Sequence, residues 1–158
     1  IFGWAKPVPV VAGNMRNPRR DMVLVALAGP GINFVLALIA ALSLGIMLAG
    51  NGGALPQGGA AGFLAQNLFN FLMINVFLGV FNLIPLPPFD GGHVVEGALP
   101  RRAVPAWNRL GRFGFPLLLI LLVVVPMIAP QANVVARAVV PIVRTVAGGL
   151  LGIAGLQP

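Results

Sequence analysis

The apolar positions of this chain do not alternate with polar ones; they run in long blocks. No residue from Met22 to Phe89 is charged or a histidine, and a second uncharged stretch runs from Phe113 to Ala136. One helical membrane crossing takes about 20 apolar residues, so the first block is far too long for a single crossing. It is broken at Gly50-Asn51-Gly52-Gly53 and at Pro56-Gln57-Gly58-Gly59, residue types that make turns. The pattern predicts one helix over about 22–49 and another over about 63–84. A third, over about 113–129, is rather short and carries Pro116 and Pro126. In the tail, about 131–156, Arg137 and Arg144 share a helical face, which fits an interfacial helix or a last packed one. Pro85, Pro87 and Pro88 remove three backbone donors and stop a helix, so a broken helix is expected over 82–92, with a short helix near 91–99. At the other end, Pro7 and Pro9 push Gly3–Val11 toward extended backbone. That stretch reads either as an interfacial linker anchored by Trp4 and Lys6 or as an edge strand able to pair with a guest peptide.

The expected fold is therefore an all-α polytopic membrane protein with about three to four transmembrane helices and a short extended or β segment at the N-terminus. Residues 1–158 form one membrane-embedded domain: an extended interfacial segment (1–21), a helical hairpin with its polar motif (22–97) and C-terminal helices (98–158).

Composition supports this solvent. Hydrophobic residues make up 58% of the 158 and charged residues 8%, where a soluble domain carries about a quarter charged. The net charge is +7, from ten Lys and Arg against Asp21, Asp90 and Glu96. A nucleic-acid partner is not expected, because the basic residues flank apolar runs and do not cover a polar binding face. The chain has no cysteine, which excludes disulfides and thiolate metal ligands. Lys6, Arg16, Arg19 and Arg20 precede the first helix; Arg101, Arg102, Arg109 and Arg112 follow the second; the connection between the two carries none. Two crossings return the chain to its starting side, so both basic segments are expected on the cytoplasmic side of a cell membrane. The start at Ile1, without a signal-peptide layout, reads as a fragment of a longer protein.

The polar residues within the blocks carry the candidate chemistry. Gly29, Asn33, Ala37, Ala41, Gly45 and Ala49 recur every four residues, a small-residue stripe that lets another backbone come close. Asn33 interrupts it with an amide that must be hydrogen-bonded in hydrocarbon, and Pro30 can free backbone groups for it. On the second helix Asn67, Asn70, Asn75 and Asn82 fall within an arc of about 140°. They fit either a polar, water-accessible interior or hydrogen bonds between helices. Asp90 sits at the helix break. It is either the N-cap of the helix that follows or an ionisable group with a metal or proton role. His93 and Glu96 follow at i+3 and i+6, poor geometry for a zinc site within one turn and a half; they are expected at the interface, with Glu96 near Arg101 or Arg102. There is no His-Glu-x-x-His, Gly-x-Ser-x-Gly or phosphate-binding loop.

Three blocks of residues resemble the site-2 protease family of intramembrane zinc metalloproteases. Asn82-Leu-Ile-Pro-Leu-Pro-Pro-Phe-Asp90-Gly-Gly is similar to the family's Asn-Leu-x-Pro…Asp-Gly-Gly block, whose Asp is the third zinc ligand. Asn17–Asn33 resembles the segment leading into the Gly-Pro-x-x-Asn element, and Gly3–Val10 the strand after the zinc-binding helix. The resemblance spans about residues 1–97. It implies an endopeptidase of transmembrane or membrane-proximal substrates, with one Zn2+ on Asp90 and two histidines from an upstream segment. It implies Asn82 and Asn33 as orienting or oxyanion-stabilising groups, and the extended N-terminal stretch as a holder of unwound substrate. The His-Glu-x-x-His helix lies outside these residues, so this chain alone is expected to bind zinc weakly and to cleave nothing. The alternative is a non-catalytic scaffold, a pseudoprotease, or a small transport subunit in which Asp90 relays protons.

Overall fold

A computed structural model of the chain describes residues 17–129 and 135–156. Among the described residues the regular elements are helical, with no strand. The extended segment expected near residues 3–11 lies outside them.

Helix α1 spans Pro18–Gly50 and α2 spans Gly59–Asn82. At 1.5 Å per residue they are about 50 and about 36 Å long, and both are long and apolar enough to cross a membrane. Helix α1 begins at Pro18, so residues 18–21, expected in the extended segment, are helical. Pro18 occupies a first-turn position where its missing N–H costs nothing, with Asn17 as the cap residue. Arg19, Arg20 and Asp21 thus belong to the helix; the charges mark where apolar sequence starts, not where the helix does. The connection between the helices uses Gly52, Gly53 and Gly59 at positive φ, backbone that only glycine adopts cheaply.

Helix α2 stops at Asn82, and α3 (Asp90–Ala98) starts after the proline-rich break. Then come α4 (Val104–Arg112) and the interrupted run α5 (Gly114–Leu119), a π-helical stretch (Ile120–Val124) and α6 (Val125–Ile128). This run is about 22 Å long, short of the roughly 30 Å hydrocarbon thickness. Pro126 lacks the N–H that would bond one turn back, which suits the widened π turn before it. A second π-helical stretch, Val135–Val139, leads into α7 (Val140–Ile153).

The packing is inverted relative to a soluble bundle. Small residues lie inside: Ala37, Ala40 and Ala41 of α1 are buried against Leu72, Val76 and Val80 of α2 and Val143 and Ala147 of α7. Large apolar side chains face out, among them Ile32, Ile39 and Ile46 of α1 and Phe63, Ile74 and Leu78 of α2. Contiguous exposed apolar surface on this scale is unfavourable in water and favourable against lipid. The stripe does what its spacing predicts: Ala37 and Ala41 admit α2, and Gly45 lies directly against the Ala154 carbonyl at the end of α7. At its other end Gly29 faces Asp90.

Candidate metal centre

The proline-rich break is a folded hub. A β-carbon added at Gly91 would overlap the Leu83 and Ile84 carbonyls, and one at Gly92 would lie 2.8 Å from Pro87 N. The first turn of α3 therefore rests its bare backbone on the break. Gly114 approaches the Pro87 backbone from α5 in the same way, and Gly111 of α4 packs against the Pro87 ring at ordinary contact distance. Phe89 closes the hub by an edge-on contact with Phe81, centroids 4.7 Å apart, and Phe81 stacks in turn on Phe77. Trp107 Nε1 donates to the Gly92 carbonyl across 3.1 Å and ties α4 to the first turn of α3.

This hub fixes Asp90. It is the first residue of α3, with Phe89 in the capping position, so the N-cap role weighed from sequence falls to another residue. Its carboxylate points at α1: a β-carbon on Gly29 would lie 3.0 Å from Oδ2. That is tighter than ordinary van der Waals contact, so glycine makes the cradle. Among the described residues no hydrogen bond reaches this carboxylate. Gly29 lies two turns into α1 beyond Asp21, the last charged residue of that helix, or about 12 Å along the axis. A half-buried carboxylate with free lone pairs at that depth suits a cation, since hard and borderline cations take carboxylate oxygen.

The other candidates are placed less uniformly. Asn82 ends α2 and is half-buried beside the hub. Asn33 is half-buried one turn beyond Gly29 on α1. The four asparagines of α2 do not form one polar interior: Asn75 is buried, Asn67 and Asn70 are exposed. Nor do their bonds join helices. Asn67 and Asn75 donate to the carbonyls of Phe63 and Phe71, each one turn back, at 2.8 Å, and Asn70 accepts from Gln66 at 3.1 Å. An amide that bonds its own preceding turn satisfies itself without a partner helix. His93 Nδ1 and Glu96 Oε2 pair at 3.4 Å on the exposed side of α3. Arg101 lines the same cavity as both, without being their partner. Among the described residues no three histidine, aspartate or glutamate side chains come together to hold a metal ion. Asp90 fits a metal as one ligand of a larger set.

Sequence reasoning missed two placements. It had Gly29 on a packing stripe and Asp90 at a break, without joining them. It also passed over α4, although Val104, Trp107 and Leu110 recur at helical spacing after Ala103.

Comparison with known proteins bears on this arrangement. Residues 53–125, which include α2, the hub and Asp90, match the family model described as peptidase family M50. The matched stretch, just under half of the chain, is similar to that family. The chain is also 36% identical, over 122 residues, to a Bacillus subtilis (strain 168) protein named "Putative zinc metalloprotease YwhC". That alignment covers 77% of this chain and 55% of the relative, so the chain spans about half the length of the relative it matches. No solved structure matches the chain significantly.

Proposed function

We propose that this chain is the C-terminal part of an intramembrane zinc metalloprotease that cleaves transmembrane or membrane-proximal proteins in the cell membrane. The observation that carries the reading is the Asp90 carboxylate, held against Gly29 with no hydrogen bond among the described residues, within the M50-matched stretch.

Asp90 would hold one coordination position of a zinc ion, and two histidines and a glutamate base would come from residues upstream of those described. When bound, zinc supplies Lewis acidity and activates water near neutral pH. The chain's own residues do the rest. The hub prevents α3 from sliding, so the carboxylate keeps its direction. Gly29 keeps α1 close enough to wall the site. Asn82, at the mouth of the break, would donate its amide N–H groups to the developing oxyanion of the scissile carbonyl. Asn33 would orient the substrate backbone from α1. Three to four crossings, with both basic segments cytoplasmic, complete the reading; the site then lies on the cytoplasmic side, at a depth that water reaches through the half-buried face of α3.

The test is cleavage of a model transmembrane substrate by the intact protein in detergent, with and without a zinc chelator. Chelator-sensitive cleavage that zinc restores is the expected result. No cleavage of any helical substrate, with the protein folded and zinc supplied, supports a non-catalytic scaffold instead.

A further inference from the structure

Away from the metal centre, the N-terminal turn of α1 and the end of α3 flank a second site, an open groove. A cavity of about 800 Å³ lies between them. Arg19 and Arg20 line it from α1 and Arg101 from the turn after α3, and among the described residues no carboxylate lines it. Its remaining wall is largely apolar, with Val23, Val94 and Ala98. Gly97 brings the two helices close here, since a β-carbon at that position would strike the Val23 side chain.

The nearby acids are occupied elsewhere. Asp21 Oδ2 accepts from its own Asn17 backbone N–H at 3.1 Å, and Glu96 pairs with His93. Arg19 is oriented by one donation, 3.1 Å, to the Glu96 backbone carbonyl. A guanidinium has five donors, so most of its capacity remains. Among the described residues, three cations thus line one largely apolar cavity and no carboxylate does, although Arg19 and Arg101 also border the neighbouring cavity lined by Glu96. Just beyond it Leu24 and Leu27 of α1 are exposed for lipid contact.

We propose that this cavity binds the phosphodiester headgroup of an anionic phospholipid, with its acyl chains along the exposed face of α1. Arginines clamp phosphate oxygens by paired, charge-assisted hydrogen bonds, and basic pockets at the cytoplasmic ends of membrane helices suit such headgroups. The apolar floor and the adjoining lipid face argue for a lipid over a free anion.

The experiment uses the intact protein in neutral detergent, with thermal unfolding as the readout. Short-chain phosphatidylglycerol should raise the midpoint in a saturable way, because a ligand of the folded state stabilises it. Phosphatidylcholine of equal chain length and inorganic phosphate at millimolar concentration should not. Changing Arg19, Arg20 and Arg101 together to Gln should weaken the phosphatidylglycerol response at least tenfold. Arg109→Gln with Arg112→Gln, an equal kind of charge loss on α4, should leave it within about twofold. If the triple variant does not fold, Arg101→Gln alone, on an exposed turn, should weaken binding at least threefold. An unchanged response in the arginine variants overturns the proposal. So does an equal loss in the α4 variant, which would mean diffuse attraction, or an equal effect of inorganic phosphate, which would mean a free-anion site.

Discussion

The contact between Gly29 and Asp90 joins two features that lie far apart in the chain. A β-carbon on Gly29 would lie 3.0 Å from the carboxylate, so the side chain would have to give way. Gly29→Ala should therefore displace the carboxylate by a few tenths of an ångström while leaving α1, whose helix propensity it improves, intact. The expected outcome is weaker zinc retention with unchanged or higher thermal stability, checked by metal content and unfolding on one sample. Zinc retained as in the parent would mean that the cradle has no bearing on the metal. The amides separate from the carboxylate by their consequences. Asn82→Ala should keep the metal and slow cleavage by about 10²–10³, the usual cost of one oxyanion donor. Asn33→Ala should be milder, because its position also serves packing on the stripe. Equal loss of zinc in Asn82→Ala and Asp90→Ala would make Asn82 structural.

At the scale of elements, the break after Asn82 behaves as a keystone whose fit depends on glycine. Gly91→Ala puts a methyl group into the Leu83 and Ile84 carbonyls. The site cannot relax without moving α3, so a loss of about 1–3 kcal/mol is expected, as for other overpacked positions, read as a lower unfolding midpoint. Ala41→Leu should cost a similar amount by prising α2 and α7 off α1, where Ala41 is fully buried. The sequence was informative about these elements where breakers are strong: the glycine-rich turn, the prolines and the short helix after Asp90 were all legible. It was less informative where a signal has two meanings. Charges at Arg19–Asp21 mark a solvent boundary, yet Pro18 starts the helix before them. Asparagines on one face suggest a shared polar interior, yet two of them bond their own preceding turn. Which backbone each glycine touches is a property of packing, and no local pattern encodes it.

At the scale of the whole molecule, the inverted distribution of small and large apolar side chains is what a bilayer solvent selects. Composition already contained that conclusion. The candidate site was half legible: Asp90 and Asn82 stand out as polar groups at a helix break, but the pairing of Asp90 with Gly29 is a long-range contact. The proposed topology has its own test. Since the chain lacks cysteine, single cysteines at positions 55 and 105 can be labelled with an impermeant reagent from each side. They should label from opposite sides, and labelling from the same side would contradict the hairpin. That Asp90 ligates a metal is the central claim, and zinc content tests it most directly. Measured on the purified intact protein, it should be about one zinc per molecule, falling well below that in folded Asp90→Ala, because the remaining ligands leave the site one short. A folded Asp90→Ala protein that keeps its full zinc would contradict the central claim, leaving Asp90 as a residue of the helix start and nothing more.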